Sequence, residues 1–273
     1  MVASWHIFNL WAGVAFYVIA FVMGVIGKVF DKPNTTNRSL YLLIAGTLLH
    51  GTAIIIRWID TGRGPYDSMY DLLISNAWIA VAFLLLLLWR FPTMKILTIV
   101  VLPVIILMLG STVLTSSVIK PLPESYQTYW LVIHVGFAKL AYGSCLISFA
   151  LAIIYIWRRK REQAIDESGL TPRRIDELSY QFAIFGFINL GIMIAAGAIW
   201  ANNSWGRYWG WDPIETWALV SWLIYGIYLH LRRTMGWRGE KASWLSVGCF
   251  VLMGFSYFIV SYIFSGLHQY LVQ

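Results

Sequence analysis

The stretch "WANNSWGRYWGWDPIETW", Trp200 to Trp217, holds five tryptophans in eighteen residues and separates two apolar runs, at about 180–201 and 214–231. Runs of that length suit a bilayer, because a helix needs roughly 20 mainly apolar residues to cross the hydrocarbon core. Six further runs lie outward from them, at about 6–27, 39–56, 72–89, 96–117, 129–157 and 243–267. The chain of 273 residues is 59% hydrophobic and 12% charged, which is outside the range of a soluble domain. The sequence therefore predicts an all-α polytopic membrane protein with about eight transmembrane helices, forming a single integral membrane domain over residues 1–273. The first run has no basic residue before it and leads into no small-residue cleavage site, so it reads as a retained helix.

The formal net charge of +7 gains its meaning from where the charges fall. On the eight-helix reading, alternate loops take Lys28, Lys32 and Arg38, then Arg90 and Lys95, then the run Arg158 to Arg161 with Arg173 and Arg174, and last Arg232, Arg233, Arg238 and Lys241. The opposite loops hold only Arg57, Arg63, Lys120 and Arg207, with Lys139 inside a span. The positive-inside rule puts the richer set in the cytoplasm, so both termini and the tryptophan-rich segment face outward. The basic surplus thus speaks for the lipid bilayer and gives no support to a nucleic-acid partner. Cys145 and Cys249 lie mid-span with no paired spacing, and read as packing residues. Thiol chemistry would belong to a thiol-reducing partner protein.

Scattered tryptophans at a membrane boundary usually form an interfacial belt. Here Trp205, Trp209 and Trp211 alternate with Gly206 and Gly210, which allow tight turns and close approach to a flat ligand. In "WDPIETW", Asp212 suits the N-cap of the next helix, Pro213 its first position and Glu215 a capping box. The external segment 200–217, with Trp200, Trp205, Trp209, Trp211 and Trp217, is expected to form a rigid aromatic platform.

Topology sorts the five histidines. His134 lies about one turn inside the outer end of the fifth span and His268 just past the outer end of the eighth, on the side of the platform. Two imidazoles on different helices beside an aromatic shelf suit the axial positions of a planar metal macrocycle. His50 lies mid-way along the second span and His230 near the cytoplasmic end of the seventh. A lone histidine on an apolar face is more often a hydrogen-bonded core residue, yet ionisable groups inside spans are functional candidates because burying them is costly. The inner pair has a depth mismatch, since His50 is expected roughly 15 Å from the cytoplasmic boundary and His230 within a turn of it. His6, at the start of the first span, reads as an interfacial residue.

"WGRYWGWDPIETWALVSWLIYGIYLH" resembles the tryptophan-rich signature of heme-handling proteins, in the form carried by CcsA/ResC-type cytochrome c biogenesis proteins of System II. "LLHGTAIIIRW", "WLVIHVGFAKLAYGSCLISFAL" and "FSGLHQYL" extend the likeness over most of the chain. The resemblance implies transport of heme b across the membrane and its attachment to the CxxCH thiols of apocytochrome c. His134 and His268 match the outer axial ligands and His50 and His230 the ligands in transit. It also implies a ResB/CcsB-like partner with a large external domain. "SMYD" departs from the "NxYE" expected after the second span, which leaves the role of Asp71 open, and that of Lys139 is open as well.

Heme propionates require cations or donors. Arg207 is the first candidate, with Arg57 and Lys139 behind it, and no catalytic residue is assigned. Two competing readings stay open: CcmC-like delivery of heme to a carrier without attachment, and a proton or ion transporter using His50, His230, Lys139 and Glu215. A bacterial cytoplasmic membrane is the expected location, with the thylakoid membrane as the alternative.

Overall fold

The computed structural model describes residues 3–66, 68–118, 127–160, 171–264 and 266–268. The described residues are helical, without strands, and the chain divides into two compact units, Met1–Ile119 and Lys120–Gln273.

The first unit contains α1 (Ala3–Val29), α2 (Pro33–Thr61), α3 (Met69–Arg90) and α4 (Leu97–Gly110), the last extended by a 3-10 turn over Ser111–Leu114. Pro103 lies inside α4. Each helix packs on two others, α1 on α2 and α4, and α3 on the same two, so the four close into a ring. Local chemistry sets the ends. Pro33 opens α2 where its missing N–H costs nothing, and Gly62 closes it in the left-handed conformation. The Ser68 hydroxyl caps α3 by accepting from the Asp71 N–H at 3.2 Å.

The second unit repeats this plan with α5 (Tyr129–Lys160), α6 (Pro172–Trp205), α7 (Pro213–Arg233) and α8 (Glu240–Phe258). Here α5 and α7 each pack on both α6 and α8, and α9 (Val260–Ile263) packs on α7 and α8. Without a hydrophobic drive between helices in lipid, small and hydroxyl side chains hold such contacts. Ser148 Oγ donates to the Ser179 carbonyl at 2.8 Å, Ser179 Oγ donates back to the Ser148 carbonyl at 2.9 Å, and Ser246 Oγ lies 3.2 Å from Ser148 Oγ. Cys145 and Cys249 are buried, unpaired core residues of this unit.

Among the described residues, each unit also buries a bidentate arginine–aspartate pair. In the first, Arg57 donates from Nε and Nη2 to Asp71 at 2.6 and 3.2 Å, and from Nη1 to the Ser117 carbonyl at 3.0 Å. In the second, Arg232 donates from Nη1 and Nη2 to Asp176 at 2.6 and 3.0 Å.

Among the described residues seven helical stretches are long and apolar enough to cross a membrane, lying in α1 to α7, where the sequence predicts about eight. The difference lies in the last run. It reads as continuous over 243–267, but α8 stops at Phe258 and only the short α9 follows, ending where Phe264 turns extended. Serines and glycines at positions 243, 246, 248, 254 and 256 also dilute the hydropathy of α8.

Candidate functional site

The tryptophan-rich segment is only partly a loop. Helix α6 continues through Trp200 to Trp205 and stops at Gly206, whose φ of 72° gives the left-handed cap. The connection to α7 is therefore residues 206–212. Its far end is fixed as the sequence predicts. Asp212 Oδ1 accepts from the Ile214 N–H at 2.9 Å, and Glu215 Oε2 accepts from the N–H groups of Asp212 at 3.2 Å and Gly210 at 2.9 Å. Within this clasp Trp211 holds a φ of 55°, uncommon for a residue with a Cβ. Its ring meets that of Trp209 edge-on at 5.8 Å and is 70% exposed.

Trp200 is the opposite case, a fully buried indole with 1% exposure. Both candidate axial histidines lie against it. The His134 ring is nearly parallel to it, 6.5 Å away at 13°, and the His268 ring is 6.0 Å away at 45°. Trp205 meets Trp200 at 4.9 Å and His268 at 5.1 Å, both edge-on. The two imidazole centroids can thus be no farther apart than the two distances to Trp200 laid end to end.

Each of these histidines has one ring nitrogen fixed. His134 Nδ1 lies 2.8 Å from the Met193 carbonyl, which can only accept, so Nδ1 carries the proton and Nε2 keeps its lone pair. Gly197, one turn further along α6, makes that approach possible, because a Cβ there would lie 2.6 Å from His134 Nδ1. His268 Nδ1 lies 2.9 Å from Asp212 Oδ1, which can only accept, so Nδ1 carries a proton there as well. Asp212 Oδ2 also accepts from the Leu267 N–H at 2.5 Å. Gly266 lets the chain pass, since a Cβ there would collide with the Asp212 carboxylate.

Burial alone would raise the Asp212 pKa. Hydrogen bonds from His268 and from the N–H groups of Ile214 and Leu267 outweigh it and hold the carboxyl below its ordinary value. Asp212 therefore caps α7, anchors the last described turn of chain and orients His268. Ligand histidines are commonly oriented in this way, with the second ring nitrogen donating to a carboxylate or a backbone carbonyl.

The structure thus brings together His134, Trp200, Trp205, Asp212 and His268 at one end of the second unit. Gly206, Arg207, Trp209, Gly210 and Trp211 form the adjoining loop, where the exposed Arg207 guanidinium closes over Gly210. Trp217 packs on Phe255 at 5.0 Å, between α7 and α8. Lys139 is partly buried in α5, beyond His134. His230 is exposed in the last turn of α7, with Nδ1 3.4 Å from the Thr234 hydroxyl.

In the first unit His50 is completely buried. Its Nδ1 is 3.3 Å from the Tyr17 hydroxyl, and its Nε2 is buried without a hydrogen-bond partner. Arg57 and Asp71 are committed to each other. His6, which reads from sequence as interfacial, is buried.

Sequence reasoning missed the Met193 carbonyl, Gly197 and the orienting role of Asp212. The only available signals were glycine in "AAGAIW" and "SGLH", and the spare acceptor that any aspartate cap retains.

A family model described as cytochrome c assembly protein matches residues 66–268. The chain belongs to that family. It is 35% identical over 264 residues to a cytochrome c biogenesis protein CcsA of Chlamydomonas reinhardtii, covering 91% of this chain and 72% of that one. The CcsA of Guillardia theta is 31% identical over 297 residues, covering 98% and 97%. The CcsA of Synechococcus sp. (strain RCC307) is 29% identical over 272 residues, covering 88% and 87%. This CcsA-type chain is an integral membrane protein of cytochrome c biogenesis, and its family handles heme.

Among solved structures, "Cytochrome c Heme Lyase CcmF" shares the fold, with a TM-score of 0.70 at 14% identity. The match covers 92% of this chain and 46% of that protein, so this chain spans less than half of its length.

Proposed function

We propose that this chain carries heme b across its membrane and presents it, at the outward end of the second unit, to the CxxCH thiols of apocytochrome c, as the membrane subunit of a cytochrome c synthase. The observation that carries this reading is the pair of imidazoles on Trp200 whose Nδ1 protons are both committed, so that Nε2 is the coordinating nitrogen of each. Such donors fit heme, because the porphyrin supplies four in-plane nitrogens and needs only axial ligands from the protein.

His134 and His268 are the outward axial ligands, with Trp200 and Trp205 as the apolar wall and the 206–212 loop as the rim. Arg207, exposed in that rim, is the cation best placed for a propionate, because Arg57 is already paired. His50 in the first unit and His230 in the second are imidazoles for heme in transit. Both termini and the rim lie outside, as the distribution of Lys and Arg supports.

When bound, heme supplies two vinyl groups. Each thiol adds across one of them, forming a C–S bond while the thiol hydrogen goes to the other vinyl carbon, with no net oxidation. The protein contributes orientation and a dry wall to this addition. A ResB/CcsB-like partner supplies the external domain and a thiol-reducing protein keeps the CxxCH cysteines reduced.

The test is co-expression of this chain, that partner and a CxxCH reporter in cells without their own maturation system. Covalent heme on the reporter, lost with His268→Ala, supports the reading. Covalent heme that is unaffected by both His134→Ala and His268→Ala counts against it.

A further inference from the structure

The two units share a register as well as a plan. In the first, Trp78 Nε1 donates to the Thr47 carbonyl at 3.0 Å, and Gly51, one turn further along α2, faces the same indole. In the second, Trp222 Nε1 donates to the Phe187 carbonyl at 3.2 Å, and Gly191, one turn further along α6, faces that indole. A Cβ on either glycine would crowd the indole nitrogen, at 2.9 Å and 3.1 Å. Each tryptophan follows the N-cap of its helix, Ser68 or Asp212, by ten residues. Each acceptor carbonyl directly follows a glycine against which the preceding helix packs. Gly46 meets Phe16 and Tyr17 of α1, and Gly186 meets Ser144 and Cys145 of α5.

That register pairs residues of one unit with residues of the other. His6 precedes Phe16 by ten residues and His134 precedes Ser144 by ten, so the two imidazoles hold the same position. Arg57 follows Gly46 by eleven residues, as Gly197 follows Gly186, and Asp71 and Glu215 are each the third residue after an N-cap. Beside His134, Gly197 contributes no side chain, and Glu215 turns back to the N–H groups of Gly210 and Asp212. Beside His6 the same positions are filled. Arg57 reaches Asp71 at 2.6 and 3.2 Å, and its guanidinium lies over the Tyr70 ring at 4.6 Å, which meets the His6 ring edge-on at 6.2 Å. His6 is buried, with neither nitrogen hydrogen-bonded. An apolar ring would fill that space without the cost of two unsatisfied polar atoms, so packing alone does not account for a histidine there.

We infer that the two units are copies of one four-helix module, that His6 is the first unit's counterpart of His134, and that the Arg57–Asp71 pair is a plug that restricts the outer ligand site to the second unit. The identity of that ligand as heme rests on the proposed function; the correspondence of positions does not. Arg57 and Asp71 are then specificity determinants, since they leave the chain one outward imidazole site where the module would give two. The rest of the first unit agrees. In the shared register the counterpart of Trp200 is Asp60, an exposed carboxylate in place of the buried indole wall. Helix α2 also stops at Gly62, one turn before the level at which α6 stops at Gly206, so it does not reach the level of the rim.

The experiment transplants the plug. Gly197→Arg puts a guanidinium at the counterpart of Arg57, within reach of Glu215, and Gly197→Met supplies similar bulk without charge. In the full chain in detergent, Gly197→Arg should melt about 4 °C or more above Gly197→Met, because only the arginine finds a carboxylate. Adding Glu215→Gln, which keeps the capping box, should remove that difference. The same three variants are made in a His134→Ala background, where the ring that would crowd a new side chain is gone, and the same order is expected there if the single substitutions do not fold. Equal melting of the Arg and Met variants, or a difference that survives Glu215→Gln, overturns the proposal. Hemin titration then tests the plug: Gly197→Arg should bind hemin at least tenfold more weakly than the wild type, and wild-type affinity in that variant also overturns the proposal. If the wild-type chain takes up no hemin, the proposed function falls, and the melting order alone decides whether the units are copies.

Discussion

In the second unit, His134 and His268 each give the Nδ1 proton to a fixed acceptor, at 2.8 and 2.9 Å, on elements that are themselves capped or packed. In the first, His50 has only a 3.3 Å approach to the Tyr17 hydroxyl, and its Nε2 is without a partner. All three imidazoles are within helical bundles of the same plan, yet only the first two are held in one tautomer and orientation before any ligand arrives. Such preorganisation suits a site where the ligand must be held still for chemistry. An imidazole that is not so fixed suits a position where the ligand only passes.

The bundles themselves are alike in each burying a bidentate arginine–aspartate pair, and this likeness can be tested. Arg57→Ala and Arg232→Ala should each cost about 3–5 kcal/mol, because each strands a buried carboxylate. Replacing both partners with apolar residues, as in Arg57→Met with Asp71→Leu, should come close to neutral. Unfolding in detergent measures both. A benign Arg57→Ala beside a severe Arg232→Ala would mean that only the second unit depends on its pair.

The difference between the histidines predicts smaller effects on binding. Asp212→Asn keeps a good cap for α7 but loses the charged acceptor for His268, so heme affinity should fall about 10–100-fold with little change in stability. Tyr17→Phe removes only long contacts, at 3.3 Å to His50 and 3.5 Å to Thr47, and its effect on affinity should stay below about tenfold. Heme titration of both variants checks the order. Equal losses would erase the distinction between a fixed ligand and an unfixed one.

The smallest effect expected is that of pH on the same aspartate. Asp212 has a folded pKa below its ordinary 3.8, so its contribution is complete above that value and disappears as pH falls through the lower folded value. Hydrogen exchange at the Leu267 N–H should show protection that holds down to about pH 3.8 and then declines. In Asp212→Asn the protection should be weaker throughout, with no such step.

Much of this was legible in the sequence. The runs at 39–56, 72–89 and 129–157 fall inside α2, α3 and α5, because length and apolarity are local properties. The Asp212–Pro213–Glu215 start of α7 was legible for the same reason. What stayed hidden depends on partners far along the chain. The bond from His268 to Asp212 spans 56 residues and that from His134 to Met193 spans 59, and no periodicity records either. Trp200 reads as part of an exposed shelf but is buried, because α6 continues one turn past it. The Arg57–Asp71 pairing was equally invisible, which is why Arg57 reads from sequence as available to a ligand.

The most direct measurement is the absorption spectrum, oxidised and reduced, of the chain purified in detergent from heme-replete cells. The wild-type protein should show the bands of a six-coordinate b-type heme, and His134→Ala and His268→Ala should each weaken them. A colourless wild-type protein, or bands that survive both substitutions unchanged, would contradict a heme held by these two imidazoles.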